Sequence, residues 1–173
     1  NLQNFLAAST CSHLMGISQN RIVRTLKEFK GVEHRLEYVR TINEVEYIND
    51  SKATNINSVI VAISTYDQPI VLILGGFNKG ANFRLLLPHI KSSHVRDIVS
   101  YGDAGGQINT ALGDAVRSVQ VTDLSSAVKK AQLMAAPGDI VLLSPGCASY
   151  DEFSNFEERG NHFKSIIKNL KTS

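Results

Sequence analysis

Four polar loops in this sequence carry the residue types that bind or activate anionic substrates. Asp50 and Lys52 offer a carboxylate and an ammonium group within one loop. Lys79 lies in a glycine-rich loop, and Ser149 follows a run of small residues. The guanidinium of Arg35 matches phosphate oxygens in a bidentate arrangement. The four loops are residues 34–37 (HRLE), 49–55 (NDSKATN), 75–80 (GGFNKG) and 144–160 (SPGCASYDEFSNFEERG).

The loop at residues 49–55 also has an ordinary structural explanation. Thr54 or Asn55 could cap a following helix through its side-chain oxygen. Asp50 and Lys52 could form a solvated ion pair, which contributes little to stability. For this loop taken alone, we favour the capping explanation.

The glycine-rich loop and Arg35 each leave two interpretations open. The glycines permit close approach of a ligand, and we expect Lys79 near a helix N-terminus, where carboxylate or phosphate groups bind well. Glycine-rich turns are nevertheless common, and this one is not a Walker A motif, because GxxxxGK followed by Ser or Thr is absent. Arg35 either reaches a phosphate or pairs at the surface with Glu33 or Glu37.

The cysteines and histidines favour neither nucleophilic nor metal chemistry. No histidine is tied to Cys147 by a local signature, so we expect a small buried thiol there. Cys11 and Cys147 are far apart in the sequence, and we predict that both are reduced. The five histidines show no HxH or HxxxH pairing, so we predict no metal site built within this chain.

The segments between the loops alternate between strand and helix patterns. A hairpin is predicted over residues 36–42 and 45–48, and the apolar run 69–74 is typical of a strand buried on both faces. The succession predicts an α/β fold with a doubly wound, Rossmann-like, mostly parallel sheet and helices on both faces. In such sheets ligands bind beyond the carboxyl ends of the strands. The other predicted elements are helices at 55–66, 83–90, 104–112, 124–136 and 155–170 and strands at 95–101, 116–121 and 140–143.

The first thirty residues have a different pattern. Two helices are predicted at residues 4–15 and 18–29, separated by Gly16, with Ser18 as the N-cap of the second. Two helices cannot bury a core alone, and the sequence does not begin with Met. We therefore expect residues 1–31 to be the C-terminal helices of a preceding domain and residues 32–173 to be a separate domain.

Composition excludes several classes of protein. The 173 residues are 43% hydrophobic and 20% charged, which is typical of a globular protein. Lys and Arg total 18 against 16 Asp and Glu, and this net charge of +2 gives no support to a nucleic-acid partner. No apolar run approaches the roughly 18 residues that span a bilayer, so we predict no membrane association and a cytoplasmic location.

Taken together, the loops resemble the C-terminal part of the Mur ligases over essentially the whole chain. The resemblance rests on the succession HRLE, NDSKATN, GGFNKG and LLSPGCASYDEFSNFEERG. Residues 1–8 (NLQNFLAA) also resemble the family's HNxxNxxAA segment, at the end of its central ATP-binding domain. Family members that add L-alanine or a diaminoacid typically carry Tyr-Ala-His where this chain has Ser51-Lys52-Ala53, so the resemblance favours D-glutamate.

The resemblance implies an ATP-dependent ligase of peptidoglycan precursor synthesis. Such an enzyme converts the carboxylate of UDP-N-acetylmuramoyl-L-alanine into an acyl phosphate, which the amine of D-glutamate attacks. It implies ATP and Mg²⁺, with the metal bound mainly outside this chain. It assigns nucleotide contacts to Asn4, Arg35 and Asp50, and catalytic roles to Arg35 and Lys52. It assigns D-glutamate contacts to Thr54, Lys79, Ser149 and the backbone of Phe156.

Parts that the family needs for catalysis are absent from the sequence, namely its phosphate-binding loop, magnesium ligands, modified lysine and nucleotide-sugar-binding domain. We therefore expect this chain alone to be inactive in ligation. Two other classes stay open. One is a sibling amino-acid ligase, such as the diaminoacid-adding Mur enzyme or folylpolyglutamate synthase. The other is a free-standing Rossmann-like module that binds a small ligand.

Overall fold

The N-terminal part of the chain forms a helical hairpin. The structure, a computed structural model, describes residues 2–29 and 31–170, and the chain separates into two compact units, Asn1–Gly31 and Val32–Ser173. In the first unit, helices α1 (Leu2–Leu14) and α2 (Gln19–Glu28) pack through Phe5 and Phe29, whose rings meet edge to face. Ser18 occupies the N-cap position of α2, but its side chain makes no capping hydrogen bond.

The second unit contains a six-stranded sheet in the order β1-β2-β6-β3-β4-β5. Strand β1 pairs with β2 in antiparallel orientation, and every other pairing is parallel. The predicted doubly wound, mostly parallel α/β sheet is therefore confirmed. The strands are β1 (Glu37–Ile42), β2 (Val45–Asn49), β3 (Ile70–Gly75), β4 (Val95–Tyr101), β5 (Arg117–Gln120) and β6 (Ile140–Gly146).

Helices cover both faces of this sheet. On one face, α3, α4 and α5 pack over a core that includes Val59, Leu72 and Ile98. On the other face, α6 and α7 pack over a second core that includes Val71 and Phe163. No helix among the described residues is long and apolar enough to cross a membrane. The helices are α3 (Ile56–Ile63), α4 (Leu87–Ser92), α5 (Gly105–Leu112), α6 (Leu124–Met134) and α7 (Phe156–Asn169).

The central strand β3 explains why its sequence is continuously apolar. Successive side chains of a strand point to opposite faces, so Leu72 enters one core and Val71 and Ile73 enter the other. All six residues of β3 are buried. A fully buried aliphatic side chain contributes about 1.5–3 kcal/mol relative to an exposed one, so this strand is a principal source of stability.

Two turns show how local sequence determines the path of the chain. Asn43 and Glu44, between β1 and β2, have φ angles of 50° and 61°, as a type I′ hairpin turn requires. The predicted helix at residues 83–90 is instead a 3₁₀ turn over Phe83–Leu86 followed by α4. Pro88 stands in the first turn of α4, where its missing N–H is tolerated, and it cannot continue an α-helix from the preceding residues.

Candidate binding crevice at the carboxyl edge of the sheet

A crevice is expected where neighbouring parallel strands send the chain to opposite faces of the sheet. Strand β6 lies between β2 and β3 and is parallel to both. The chain leaves β2 towards α3 on one face and leaves β6 towards α7 on the other. The polar loops that follow β2, β3 and β6 therefore share one edge of the sheet.

Backbone hydrogen bonds join the loops after β2 and β6. The N–H of Asp50 donates to the carbonyl of Leu143 across 2.8 Å, and the N–H of Gly146 donates to the carbonyl of Ala53, also across 2.8 Å. Thr54 follows Ala53 directly and is exposed at this junction. The residues of the NDSKATN segment are thus held against the end of β6.

The loop after β3 is joined to the loop after β6. Phe77 and Ala148 exchange two backbone hydrogen bonds, of 2.9 and 3.1 Å, in a short antiparallel bridge. Gly76 makes this approach possible, because a Cβ there would lie 2.3 Å from the carbonyl oxygen of Ala148. Lys79 and Ser149, which follow the bridge on its two sides, are thereby brought to neighbouring loops.

Arg159 of α7 holds the loops after β2 and β6 together through hydrogen bonds. It is completely buried and donates hydrogen bonds to the carbonyl oxygens of Ser51, Cys147 and Ala148 and to the Ser51 hydroxyl, over distances of 2.8–3.1 Å. The Ser51 hydroxyl in turn donates to the carbonyl of Phe156 across 2.8 Å. The ends of β2 and β6 and the first turn of α7 therefore form one hydrogen-bonded unit.

Asp50 forms the polar wall of a cleft beside β2. One carboxylate oxygen accepts from the N–H of Leu36 at 3.2 Å, and the other accepts from the Ser144 hydroxyl at 2.9 Å. Burial raises the pKa of Asp50 to about 6, although these hydrogen bonds and Arg35 oppose the change. The cleft has a volume of about 340 Å³, and it is lined by Arg35, Leu36, Asp50, Lys52, Ala53, Asn57, Ser58, Val61 and Ala62.

The two lysines of the predicted site each lie against an aromatic ring. The ammonium of Lys52 is 5.4 Å from the ring centroid of Phe156, and that of Lys79 is 4.8 Å from the ring centroid of Tyr150. Both lysines are exposed, whereas Ser149, next to Tyr150, is buried. These cation–π contacts hold two positive charges at the crevice without neutralising them.

The loop that carries Lys79 is shaped by the side chain of Asn78. No α-helix begins at this loop, because α4 starts only at Leu87. Instead, the side-chain oxygen of Asn78 accepts hydrogen bonds from the N–H groups of Gly80 and Ala81, at 2.9 and 2.7 Å. The loop is therefore shaped by an asparagine turn, and the helical stretch that follows it begins at Phe83 as a 3₁₀ turn.

The structure decides between the alternatives for the loop after β2. Asn55 is the N-cap of α3, and its side-chain oxygen accepts from the N–H of Ser58 at 2.9 Å. Among the described residues no ion pair joins Asp50 to Lys52. The loop therefore caps a helix through Asn55, while Asp50 and Lys52 face the cleft separately.

Within residues 31–170, Arg35 forms no ion pair with Glu33 or Glu37. Glu33 and Glu37 both bond the ammonium of Lys164 instead. Ligand atoms of Glu33, His34 and Glu37 lie within 4.8 Å of one another, as in a metal site. The Lys164 ammonium already occupies the carboxylates of that group, so its charge opposes cation binding there.

Several residues of the site were not identified by sequence reasoning. Arg159 lies within the quoted NFEERG segment, and only its complete burial reveals its role. Asn49, Ser144 and His34 are buried polar residues that join the loops, and nothing in their local spacing distinguished them. Burial raises the pKa of Cys147 to about 12, which is consistent with the expected inert thiol.

Comparison with known proteins identifies the family. The sequence model described as "Mur ligase, glutamate ligase domain" matches residues 34–147. The chain therefore belongs to the Mur ligase family. It is 46% identical over 173 residues to the UDP-N-acetylmuramoylalanine--D-glutamate ligase of Pelotomaculum thermopropionicum, which covers 99% of this chain and 38% of that protein. The ligase of the same name from Bacillus mycoides is 45% identical over 172 residues, covering 98% of this chain and 38% of that protein.

Solved structures share the fold. The UDP-N-acetylmuramate-alanine ligase of Thermotoga maritima superimposes with a TM-score of 0.71 at 16% identity, over 99% of this chain and 38% of that one. The MurF ligase of Thermotoga maritima, solved in complex with ADP, gives a TM-score of 0.65 at 14% identity, over 98% of this chain and 39% of that one. The chain thus spans less than two fifths of the length of these relatives.

Proposed function

We propose that this chain is the amino-acid-binding part of a ligase that joins D-glutamate to UDP-N-acetylmuramoyl-L-alanine in peptidoglycan precursor synthesis. The proposal is supported by relatives of that name at 45–46% identity over almost the whole chain. It is supported further by the crevice, where the positive charge of Lys79 and the hydroxyl of Ser149 come from adjacent loops. A dicarboxylate needs such donors on more than one side.

The reaction consumes one ATP for each amide bond. The carboxylate of UDP-N-acetylmuramoyl-L-alanine takes the terminal phosphoryl group of ATP, and ADP leaves. The amine of D-glutamate then attacks the acyl carbon, the resulting tetrahedral intermediate expels phosphate, and the amine loses a proton. The crevice of this domain has to hold D-glutamate so that its amine meets the acyl phosphate, which is a matter of orientation.

The carboxylates of D-glutamate are proposed to bind Lys79, Ser149, Thr54 and the backbone of Phe156. Phe156 is the first residue of α7, where N–H groups have no carbonyl partner within the helix. The helix dipole adds positive potential at the same place. Each charge-assisted hydrogen bond contributes about 1.5–3 kcal/mol, so a few of them suffice to select an amino acid with two carboxylates.

The cleft beside β2 is proposed to bind ATP. Asp50 offers acceptor oxygens that suit the hydroxyl groups of a ribose, and Arg35 and Lys52 offer positive charge for the transferred phosphate. These two residues are the proposed catalytic groups. Asn4, which lies in the N-terminal unit, is proposed as a further nucleotide contact on the family resemblance alone.

Magnesium is proposed to be held mainly by residues outside this chain, together with the ATP phosphates. The possible metal ligands of this chain agree with that proposal, because the carboxylates of Glu33 and Glu37 are already bound by Lys164. Residues 1–31 are proposed to belong to the ATP-binding domain and residues 32–173 to the amino-acid-binding domain. We further propose that the 173-residue chain does not catalyse ligation alone, and that the ligase acts in the cytoplasm, where ATP and nucleotide sugars are available.

A comparison of amino-acid substrates in the complete ligase tests this function. Phosphate release is measured with UDP-N-acetylmuramoyl-L-alanine, ATP and one amino acid at a time. We expect release with D-glutamate and none above background with L-glutamate, L-alanine or a diaminoacid. Activity with L-glutamate and not with D-glutamate would overturn the proposed amino-acid substrate. Binding of a small acid without any amino-acid-dependent phosphate release would favour the free-standing module.

A further inference from the structure

His34 is buried although it lies in the loop that precedes β1. Only 4% of its surface is exposed, and its ring meets the ring of Phe156 edge to face, with 6.2 Å between centroids. The Nδ1 atom lies 3.0 Å from the amide nitrogen of Asn49. Because an amide NH₂ group can only donate, Nδ1 is the acceptor and a neutral ring carries its proton on Nε2.

The ring of His34 is seated against Gly160, inside α7. A Cβ at residue 160 would lie 2.2 Å from Nδ1, 2.8 Å from Cε1 and 3.0 Å from Cγ of His34. No side chain can occupy that space while the ring is there. Glycine in a helix interior is destabilising relative to alanine, so its presence here is explained by the room that the His34 ring requires.

The backbone around Arg35 adopts an uncommon conformation. His34 and Leu36, on either side of it, have φ angles of 62° and 46°, in the left-handed region that residues other than glycine rarely adopt. Hydrogen bonds to the loop after β2 hold this path: Leu36 N–H donates to Asp50 at 3.2 Å, and Lys52 N–H donates to the His34 carbonyl at 3.0 Å. The segment thus directs Arg35 to the cleft that contains Asp50 and Lys52.

We propose that His34 is a positioning residue, which holds Arg35 at the nucleotide cleft by docking its ring against Gly160. His34 touches no substrate in this scheme. The contacts of His34 with Gly160 and with the side-chain amide of Asn49 hold one end of the segment 34–36. The hydrogen bond from Leu36 N–H to Asp50 holds the other end. The inference rests on the proposed function only in assigning the nucleotide phosphates to Arg35.

The test places variants in the complete ligase and measures the KM for ATP and the KM for D-glutamate separately. Gly160→Ala pushes a methyl group against the His34 ring and leaves every residue of the cleft unchanged. We expect the KM for ATP to rise about tenfold and that for D-glutamate to change less than about twofold. Gly106→Ala in α5 is the matched control, because a Cβ there has its nearest neighbour at 3.8 Å, and it should change neither constant.

A double variant separates positioning from packing. His34→Ala combined with Gly160→Ala removes the ring that the new methyl group meets, so its unfolding temperature should exceed that of Gly160→Ala alone. The KM for ATP should nevertheless stay raised, because the ring that anchors Arg35 is gone. If the KM for ATP returned to the parent value in the double variant, His34 would only fill space and the proposal would be overturned.

Two further variants keep the outcome interpretable. His34→Asn tests the ring even where Gly160→Ala does not fold, since Asn tolerates the left-handed backbone and can accept from Asn49. It should raise the KM for ATP, and an unchanged value would overturn the role of His34. Arg35→Ala tests the underlying function: an unchanged KM for ATP there would remove the proposed nucleotide site itself. A raised KM for Arg35→Ala with an unchanged value for His34→Asn would remove only the positioning role.

Discussion

The Nε atom of Arg159 donates a hydrogen bond to the hydroxyl of Ser51 across 2.9 Å, although 108 residues separate them in the sequence. Arg159 forms no ion pair with any described carboxylate, and its other bonds go to the carbonyls of Ser51, Cys147 and Ala148. A buried cation held by neutral oxygens is stable only when each of them is in place. The bonds of Arg159 therefore fix the positions of the loops after β2 and β6 relative to each other.

Arg159→Lys should destabilise the chain while keeping the positive charge. A lysine ammonium is compact and cannot bond the four oxygens that the planar guanidinium reaches. Each buried acceptor left without a partner costs about 1–3 kcal/mol, so we expect the free energy of unfolding to fall by about 2–4 kcal/mol. Urea unfolding at an unchanged m-value measures this loss.

The same substitution at an exposed position is the control. Arg84→Lys, in the 3₁₀ turn before α4, should change the free energy of unfolding by less than about 0.5 kcal/mol. If Arg159→Lys were equally harmless, the hydrogen-bonded unit would not depend on the guanidinium.

The order of strands and helices was predictable because local patterns carry it. The apolar run of β3 and the hairpin turn at Asn43 and Glu44 each follow from the chain's own periodicity and turn chemistry. Apolar spacing predicts one helix around Pro88, but it does not show that a 3₁₀ turn ends before the proline and that α4 starts there. The predicted ends of the other helices lie within three residues of the observed ends.

The site was only partly predictable, because the contacts that hold it together join residues far apart in the sequence. The loops could be listed from their positions after strands, and the family resemblance supplied their roles. The contact between the His34 ring and Gly160 joins residues that are 126 positions apart, and no local sequence pattern indicates it. Arg159 resembled any charged helix residue until its burial was known.

Lys79→Ala in the complete ligase should weaken the binding of D-glutamate much more than that of ATP. Loss of one charge-assisted bond to a carboxylate, about 1.5–3 kcal/mol, corresponds to a rise in KM of roughly 10- to 100-fold. The KM for ATP should change less than about threefold. Lys91→Ala, at an exposed position in α4, is the control. Equal effects of Lys79→Ala on both substrates would contradict the assignment of Lys79 to the amino acid.

The ring of Tyr150 should contribute to the same binding step through Lys79. Tyr150→Leu removes the cation–π contact, worth about 0.5–1 kcal/mol at an exposed site, so the KM for D-glutamate should rise about two- to fivefold. Tyr150→Phe keeps the ring and should leave the KM close to the parent value. Tyr38→Leu is a matched control, because Tyr38 is 57% exposed and Tyr150 is 61% exposed. Loss of affinity in Tyr150→Phe would point to the hydroxyl and not to the ring.

Asp50 should make stability fall as the pH rises through the weakly acidic range. Its pKa is raised by burial from 3.8 to about 6, so the folded chain binds a proton that the unfolded chain has released. The contribution of Asp50 is therefore complete below about pH 4 and is lost by about pH 6.5, which amounts to about 3 kcal/mol. Asp50→Asn keeps the shape of the side chain and cannot ionise.

Urea unfolding of both proteins between about pH 4 and 6.5 measures this contribution as the stability of the parent minus that of Asp50→Asn. The difference should decline steadily with rising pH. His34 titrates in both proteins and its contribution cancels in the subtraction. A difference for Asp50→Asn that stayed constant or grew with pH would mean that the Asp50 carboxylate is stabilised by its hydrogen bonds more than it is destabilised by burial.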